Sequence, residues 1–169
     1  MNHIMSLTAI LDARERRWQT KQTLARRFRS CVMSLCLNIP GADKNPPGAE
    51  RAFALLCAAL RNACCSAIVH EVTGHGADGS YWLMVSPLPG SVLKHMAVRL
   101  ERENPLGRLA DIDVLTSACE PVSRADLGLP PRACFLCDEP AMLCRQRKSH
   151  SQERLMVFVT ALLEKIKEG

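Results

Sequence analysis

The sequence predicts an α+β fold: a single domain with a mixed β-sheet, flanking helices and a small Cys-rich segment near the C-terminus. Two observations support this prediction. Helical and strand-like hydrophobic periodicities alternate along the chain, which is typical of one sheet covered by helices. The length of 169 residues suits one domain of ordinary size. We therefore expect residues 1–169 to form one domain that contains the Cys-rich segment 132–150.

The first half of the chain predicts two helices and three strands. Residues 10–28 form an amphipathic, Arg-rich helix, and apolar residues at every second position from 31 to 39 indicate a strand. After a loop rich in Pro and Gly, a helix over 49–65 precedes strands over 67–72 and 80–86. Three Gly between residues 73 and 79 predict a hairpin loop that joins the last two strands.

The second half predicts two further helices around another strand. A helix over 92–103 ends at Asn104 and Pro105, because a proline ring clashes with a continuing helix. Residues 109–116 form a strand, and residues 120–129 contain a short strand followed by a loop. After the Cys-rich segment, apolar residues at helical spacing from residue 151 onward predict the last helix.

Composition limits the classes of partner and the compartment. With 22 Lys and Arg against 17 Asp and Glu, the net charge of +5 favours an anionic partner. Arg residues follow the short apolar N-terminal stretch directly, and the apolar runs fall short of the ~20 residues that span a bilayer. We therefore expect a cytoplasmic protein without a membrane partner. Its nine Cys then indicate packing, metal binding or reactivity rather than disulfides.

The most informative segment is Leu106–Leu115, which carries two acidic residues. Because strand side chains alternate, Asp111 and Asp113 share one face, about 7 Å apart. Such a pair is costly without compensation, and a hard divalent cation such as Mg²⁺ provides it. The preceding Gly107 and Arg108 offer backbone and guanidinium groups to phosphate oxygens. The alternative is an edge strand whose polar face meets solvent.

The Cys-rich segment carries four potential ligands for a metal ion. Cys134, Cys137, Cys144 and His150 have the spacing C-x2-C-x6-C-x5-H, and a Cys₃His set satisfies tetrahedral Zn²⁺. Packing of small apolar thiols and a redox dithiol are the alternatives. A third alternative is an anion-binding loop, because Arg145, Arg147 and Lys148 lie between the last two candidates.

Two long motifs resemble the signature of the citrate lyase holo-acyl-carrier-protein synthases, which are also called apo-citrate lyase phosphoribosyl-dephospho-CoA transferases. The first motif is NPLGRLADIDV at 104–114, and the second runs from LPPRACFLC at 129–137 through Cys144 to His150. The segments DARERR at 12–17 and LNIPG at 37–41 look like the same family. The resemblance therefore covers nearly the whole chain.

This resemblance implies a defined reaction. The donor is 2′-(5″-triphosphoribosyl)-3′-dephospho-CoA, and the acceptor is a Ser of the acyl carrier (gamma) subunit of citrate lyase. Diphosphate leaves, as in other nucleotidyl transfers. Asp111 and Asp113 would hold Mg²⁺, and Arg108, Arg124 and Arg132 would stabilise phosphoryl charge. The basic first helix would face the carrier subunit, unless it is simply a solvated face.

The resemblance also implies a likeness to the wider nucleotidyltransferase fold, from which the sequence departs at two points. That superfamily has a Gly-Ser pair shortly before its Asp-x-Asp, whereas Gly90-Ser91 precedes Asp111 by 20 residues. It also uses a third carboxylate on a later strand, for which Glu120 and Asp126 are the acidic candidates before Asp138.

Two other functions remain open at the level of sequence. The first is a related nucleotidyltransferase that acts on another acceptor, such as the carrier subunit of malonate decarboxylase or RNA. The second is a zinc-dependent nucleic-acid-binding module built on the Cys-rich segment and the Arg-rich helix. An aromatic content of 4% disfavours stacking on single strands, so we expect no nucleic-acid partner.

Overall fold

The computed structural model describes residues 6–166, which form five helices around one four-stranded sheet. This arrangement confirms the predicted α+β class. The helices are α1 (Leu7–Phe28), α2 (Ala49–Cys64), α3 (Gly90–Glu103), α4 (Ala141–Arg147) and α5 (Gln152–Glu164). The strands are β1 (Cys31–Leu37), β2 (His70–Gly76), β3 (Gly79–Ser86) and β4 (Ala110–Leu115).

The sheet has the order β2-β3-β1-β4, and all three strand pairs are antiparallel. The expected mixture of parallel and antiparallel pairs is therefore wrong. The connections β1-α2-β2 and β3-α3-β4 each join two strands that run in the same direction. The two joined strands are not neighbours in the sheet, because one other strand lies between them. This intervening strand is antiparallel to both, as in a split β-α-β-β-α-β motif.

Helices cover the two faces of the sheet unequally. One face packs against α2, α3 and α5 and forms the main core around Met33, Trp82 and Ile112. On the other face, the C-terminal half of α1 covers a smaller cluster, which includes Leu24, Val32, Leu83, Val85 and Leu115. The far end of this second face is not covered by apolar side chains, and it forms the floor of the groove described below.

The hairpin between β2 and β3 is longer than expected. Residues Thr73–Gly76, predicted to lie in the loop, belong to β2, and the turn is confined to Ala77 and Asp78. The ring of Tyr81 on β3 lies against Gly74, where a Cβ would be 2.8 Å from the Tyr81 Cε1. Gly74 therefore makes room for a cross-strand aromatic ring and does not form a turn.

The short strand predicted within residues 120–129 is absent. A single bridge pairs Pro121 with Leu115, and the Val122 N–H donates to the Val114 carbonyl at 2.8 Å. A proline has no N–H to donate to a ladder, so pairing stops there. The chain continues into a short 3₁₀ turn, Ala125–Leu127.

Helix α1 begins earlier than predicted, because the Ser6 side chain accepts a hydrogen bond from the Ala9 N–H. It ends at Arg29, which adopts a left-handed conformation. Across residues 6–166, none of the helices is long and apolar enough to cross a bilayer.

Candidate functional site

A groove of about 1440 Å³ lies beside the N-terminal half of α1. The ends of β1 and β4 form its floor, the turn at Asp78 closes one side, and the Cys-rich segment forms the opposite wall. Its volume exceeds the roughly 300–1,000 Å³ of pockets for drug-sized ligands, so it has room for a coenzyme-sized molecule. Basic side chains outnumber acidic ones along its lining: Arg14, Arg17, Lys21, Lys44, Arg132, Arg145 and Lys148 against Asp12, Glu15, Asp78, Asp111 and Asp113.

Asp111 and Asp113 lie on the floor of this groove. They point to the same side of β4, as the alternation predicted, while Ala110, Ile112 and Val114 are buried in the main core. Their side chains are 57% and 64% exposed. Surrounding protein and the nearby Asp113 charge raise the pKa of Asp111, and Arg132, Arg17 and Lys21 only partly oppose this. Two carboxylates therefore lie side by side in an accessible site, and nearby cations only partly offset the cost of ionising Asp111.

Two basic groups approach these carboxylates from opposite walls. Lys21 of α1 is 6% exposed, and its Nζ lies 3.4 Å from both Asp113 Oδ2 and Ser34 Oγ. Arg132, which lies just before the Cys-rich turn, places Nη1 3.9 Å from Asp111 Oδ1. Each carboxylate thus has a cation beside it, and both cations face the groove.

A third carboxylate and its partner also line the groove, and sequence reasoning missed both. Asp78 in the hairpin turn accepts a hydrogen bond from Arg17 of α1, and its side chain is 3% exposed. Glu120 and Asp126, the candidates suggested by the sequence, do not line the groove, and Asp126 instead accepts from Ser123. Asp78 is therefore a better candidate for a third acidic group than Glu120 or Asp126.

The Gly-Ser pair lies away from the acidic pair. A Cβ at Gly90 would touch Val122, Cys31 and Thr116, which belong to the end of the sheet opposite to Asp111. Gly90-Ser91 therefore does not form the phosphate loop of this groove.

Cys36 lies opposite Asp111 in the β1–β4 ladder and lines the groove. Burial raises the pKa of the Cys36 thiol to about 12, so the thiol stays protonated at neutral pH. A protonated thiol is a weak nucleophile, and the geometry therefore disfavours a covalent intermediate on Cys36.

The other phosphate-binding residues suggested by the sequence make internal contacts. Arg108 Nη2 donates to the main-chain carbonyls of Ala133 at 3.3 Å and of Cys134 at 2.5 Å. Arg124 pairs with Glu101 of α3, and Gly107 packs against the carbonyls at the end of that helix. None of the three lines the groove. Their contact with phosphate stays a prediction.

Arg132 and Arg108 interlock two segments of the chain. Arg132 Nη1 donates to the Ala110 carbonyl at 2.7 Å, and its Nη2 donates to the Arg108 carbonyl at 2.5 Å. Arg108 donates in the opposite direction, to the carbonyls that directly follow Arg132. The start of β4 and the start of the Cys-rich segment are thus joined by four charge-assisted hydrogen bonds.

The Cys-rich segment brings its four predicted ligands together. A tight turn returns the chain, with the Cys134 N–H donating to the Glu139 carbonyl at 2.8 Å, and α4 then carries Cys144. Cys137 Sγ lies 3.4 Å from Cys144 Sγ and 3.3 Å from His150 Nε2. All four ligand atoms lie within 4.8 Å of one another. We call these four residues the Cys₃His cluster.

The thiols of this cluster differ in their tendency to ionise. Burial opposes ionisation of Cys134, but hydrogen bonds from the Leu136 N–H and from the neighbouring thiols together lower its pKa. Burial and hydrogen bonds with Cys137 and Cys134 raise the pKa of Cys144 to about 11. His150 Nδ1 is buried and has no hydrogen-bond partner among residues 6–166. A thiol of lowered pKa, Cys134, beside one of raised pKa, Cys144, suits a site in which a cation stabilises a further thiolate.

Comparison with known proteins identifies one family. The family described as apo-citrate lyase phosphoribosyl-dephospho-CoA transferase matches residues 5–166. A probable apo-citrate lyase phosphoribosyl-dephospho-CoA transferase of Streptococcus pyogenes serotype M18 is 32% identical over 164 residues, which cover 94% of this chain and 85% of that protein. The apo-citrate lyase phosphoribosyl-dephospho-CoA transferases of Escherichia coli O139:H28 and Shigella boydii serotype 18 are each 32% identical over 168 residues, which cover 98% of this chain and 92% of each relative.

Proposed function

The chain belongs to the apo-citrate lyase phosphoribosyl-dephospho-CoA transferase family, and from this premise we propose the reaction that its groove performs. The enzyme transfers the prosthetic-group precursor of citrate lyase from 2′-(5″-triphosphoribosyl)-3′-dephospho-CoA to a Ser of the apo acyl carrier (gamma) subunit. Diphosphate is released in the cytoplasm. The observation that carries this proposal is the pair Asp111 and Asp113 on the floor of a basic, coenzyme-sized groove.

The proposed transfer is a displacement at the α-phosphorus of the donor. A bond forms between the Ser oxygen and this phosphorus, and the bond from the phosphorus to the bridging oxygen of the diphosphate breaks. The Ser proton passes to solvent, and diphosphate departs with the bridging oxygen. Positioning and electrostatic stabilisation account for most of such a step. This agrees with the protonated state of Cys36, because no covalent nucleophile is required.

Asp111 and Asp113 suit a magnesium ion. Their oxygens are hard ligands on one strand face, and the pKa of Asp111 is raised first by loss of solvent and then by the Asp113 charge, both of which a bound cation would offset. When bound there, Mg²⁺ neutralises phosphate charge and lowers the pKa of an attacking hydroxyl. Asp78 lies in the same groove and is paired with Arg17, which makes it a candidate for a supporting role.

Lys21 and Arg132 are placed to contact the phosphates of the donor. Both lie within 4 Å of a carboxylate that we assign to the metal, and both face the groove. Negative charge increases on the departing diphosphate during transfer, and fixed cations at this point stabilise it. Carbonyl acceptors hold the Arg132 guanidinium in place, so little reorganisation accompanies the reaction.

The exposed basic residues at the start of α1 suit the carrier subunit. Arg14 lines the groove, and Arg16 is exposed next to the groove-lining residues Glu15 and Arg17. Carrier proteins of this kind are usually acidic, so a basic rim would steer them toward the groove.

The Cys₃His cluster suits a zinc ion. Four tetrahedral ligands at about 2.3 Å from Zn²⁺ place sulfur atoms about 3.8 Å apart, close to the 3.4 Å between Cys137 and Cys144. A dithiol needs only two Cys, whereas here a third Cys and a His converge on the same point. Four protein ligands leave no open position for substrate, so this zinc would be structural.

The direct test is transfer of the prosthetic group in vitro. The protein is incubated with the donor, Mg²⁺ and the apo carrier subunit, and intact mass spectrometry follows the carrier. We expect a mass increase equal to the donor minus diphosphate, and none with a carrier whose acceptor Ser is replaced by Ala. The apo carrier of malonate decarboxylase serves as a competing acceptor. Absence of a mass change on the citrate lyase carrier would refute the proposed function.

A further inference from the structure

The segment that carries the Cys₃His cluster has almost no apolar core of its own. Between residues 128 and 150, Cys134 and Cys144 are the only buried side chains, and both belong to the cluster. Phe135 stacks on Phe158 of α5 but remains partly exposed. A segment of this size without a core needs another source of stability, and a structural metal ion is a common one.

The same segment forms one wall of the groove. Cys134, Cys144 and His150 line it, as do Arg132 and Arg145. Cys134 follows Arg132 by two residues, and its carbonyl accepts the 2.5 Å hydrogen bond from Arg108. The Arg108 side chain thus bonds the cluster residue Cys134, the Arg108 carbonyl accepts from the Arg132 guanidinium, and this guanidinium lies 3.9 Å from Asp111.

We infer that metal occupancy of the Cys₃His cluster controls phosphate binding in the groove, because the bound metal fixes the position of Arg132 through the carbonyls that Arg108 holds. Arg108 is then a positioning residue, and both Arg108 and the metal act on phosphate through Arg132. This inference rests on the proposed zinc site and extends the proposed function from the acidic pair to the opposite wall.

Two features favour this coupling over an independent metal site. Arg132 donates to the Ala110 carbonyl of β4 and to the Arg108 carbonyl just before it, so its backbone must stay close to the start of β4 for its guanidinium to reach Asp111. The Ala133 and Cys134 carbonyls keep it there only while the turn after Cys134 holds its shape, and Cys134 and Cys137 within that turn are two of the metal ligands. Loss of the metal would therefore loosen the wall at the residue that faces the phosphates.

Calorimetric titration with inorganic tripolyphosphate in the presence of Mg²⁺ tests the coupling without the carrier subunit. The protein is used as purified with one zinc per chain, after treatment with a zinc-selective chelator, and after zinc is restored. We expect at least about tenfold weaker binding of tripolyphosphate after chelation and full recovery with one equivalent of zinc. Equal affinity in all three states, or a purified protein without bound metal, would overturn the inference.

An Arg108 variant keeps the test decisive if chelation unfolds the protein. Arg108→Gln retains all four ligands, so it should keep one zinc per chain but bind tripolyphosphate as weakly as Arg132→Ala does. The double variant should be no weaker than Arg132→Ala alone, because coupled residues are not additive. In the transfer reaction, Arg108→Gln should raise the KM of the donor more than it lowers kcat, and Arg108→Lys should recover part of the loss.

Arg99→Gln is the matched control, because Arg99 is an exposed arginine of α3 whose single ion pair within residues 6–166 is with Glu103, one turn away. It should bind tripolyphosphate like the wild type. Wild-type affinity in Arg108→Gln would refute the positioning role. If no carrier is modified but tripolyphosphate binding still requires zinc, the proposed function fails and the coupling stands. If the carrier is modified but tripolyphosphate binds equally well with and without zinc, the proposed function stands and the coupling fails.

Discussion

The Lys21 ammonium lies 3.4 Å from the Asp113 carboxylate, although 92 residues separate the two in the chain. Lys21 reaches this position from α1, with its side chain close to the Trp18 ring and almost fully buried. The positive charge of this ammonium weakens the attraction of the Asp113 carboxylate for a divalent cation. In the proposed reaction the same ammonium also attracts the phosphates of the donor. Lys21 should therefore affect metal binding and donor binding in opposite directions.

Replacement of Lys21 by Met separates these two effects. Met preserves the apolar stem of the side chain but removes the charge. We expect Mg²⁺ to bind more tightly to the free protein, because a competing cation is lost, and the KM of the donor to rise about tenfold, which corresponds to ~1.4 kcal/mol. Calorimetric titration of Mg²⁺ and steady-state kinetics measure the two quantities.

Lys94→Met is the matched control for Lys21→Met. Lys94 is also a buried lysine, and its Nζ donates to the Ile112 carbonyl, but it belongs to α3 on the opposite face of the sheet. Neither Mg²⁺ affinity nor the KM of the donor should change in this variant. If Lys94→Met changes them as much as Lys21→Met does, the effect comes from general destabilisation of β4 and not from charge in the groove.

Asp111→Asn should abolish activity without a loss of stability. Activity should fall at least about 100-fold, because our proposal places this charged group at the reacting centre. In the absence of Mg²⁺, loss of solvent and the Asp113 charge make a negative charge at position 111 unfavourable, and the Asn amide carries no charge. We therefore expect a Tm equal to or above that of the wild type, measured by calorimetry at neutral pH. Added Mg²⁺ should raise the Tm of the wild type only, and a clear loss of Tm in the variant would contradict our description of the site.

The raised pKa of Asp111 also predicts a pH dependence of stability. The folded protein binds the Asp111 proton at higher pH than the unfolded chain does. The stability that this proton contributes is fully present below the unfolded pKa of about 4 and is lost as pH rises through the folded pKa. Without Mg²⁺, the free energy of unfolding of the wild type minus that of Asp111→Asn should therefore decrease with pH across this window. Urea unfolding of both proteins at a series of pH values measures this difference in the free energy of unfolding. A difference that does not change with pH would show that the pKa of Asp111 is unshifted.

Gly107→Ala should destabilise the start of β4. A Cβ at this position would lie 2.7 Å from the Glu101 carbonyl oxygen and would also clash with that of Leu100. Both obstacles are backbone atoms, so we expect a cost of about 1–3 kcal/mol, as for other overpacked sites. Gly128→Ala is the control, because a Cβ there meets nothing within 4 Å and the cost is limited to its left-handed φ of +65°. Chemical denaturation of both variants should show the larger loss for Gly107→Ala.

Short-range patterns predicted how the residues of the acidic pair and of the Cys₃His cluster lie relative to one another, and long-range contacts supplied the rest of the candidate site. Alternation along one strand placed Asp111 and Asp113 on one face, and ligand spacing identified the Cys₃His cluster. The Arg17–Asp78 pair was not predictable, since it joins α1 to a hairpin turn 61 residues away and depends on the order of strands in the sheet. The extent of β2 was missed because Gly74 resembles a turn residue until Tyr81 is seen to pack against it.

Arg16→Glu should weaken the interaction with the carrier subunit and leave the donor unaffected. Arg16 is exposed on α1 beside the groove but does not line it. Charge reversal at a basic rim slows association with an acidic partner, so we expect the KM for the carrier to rise about tenfold at low salt and less at high salt. The KM for the donor should stay at the wild-type value, and kinetics with each substrate varied in turn separate the two.

Arg27→Glu makes the same charge change at the other end of α1, where Arg27 is exposed and lies over the Phe28 ring. This end of the helix lies beside the smaller apolar cluster, which contains Leu24, and it does not line the groove. A carrier that docks at the groove rim should therefore tolerate Arg27→Glu. Equal losses in the two variants would mean that net charge alone attracts the carrier, because a docking site at the start of α1 requires Arg16→Glu to be clearly the more harmful substitution.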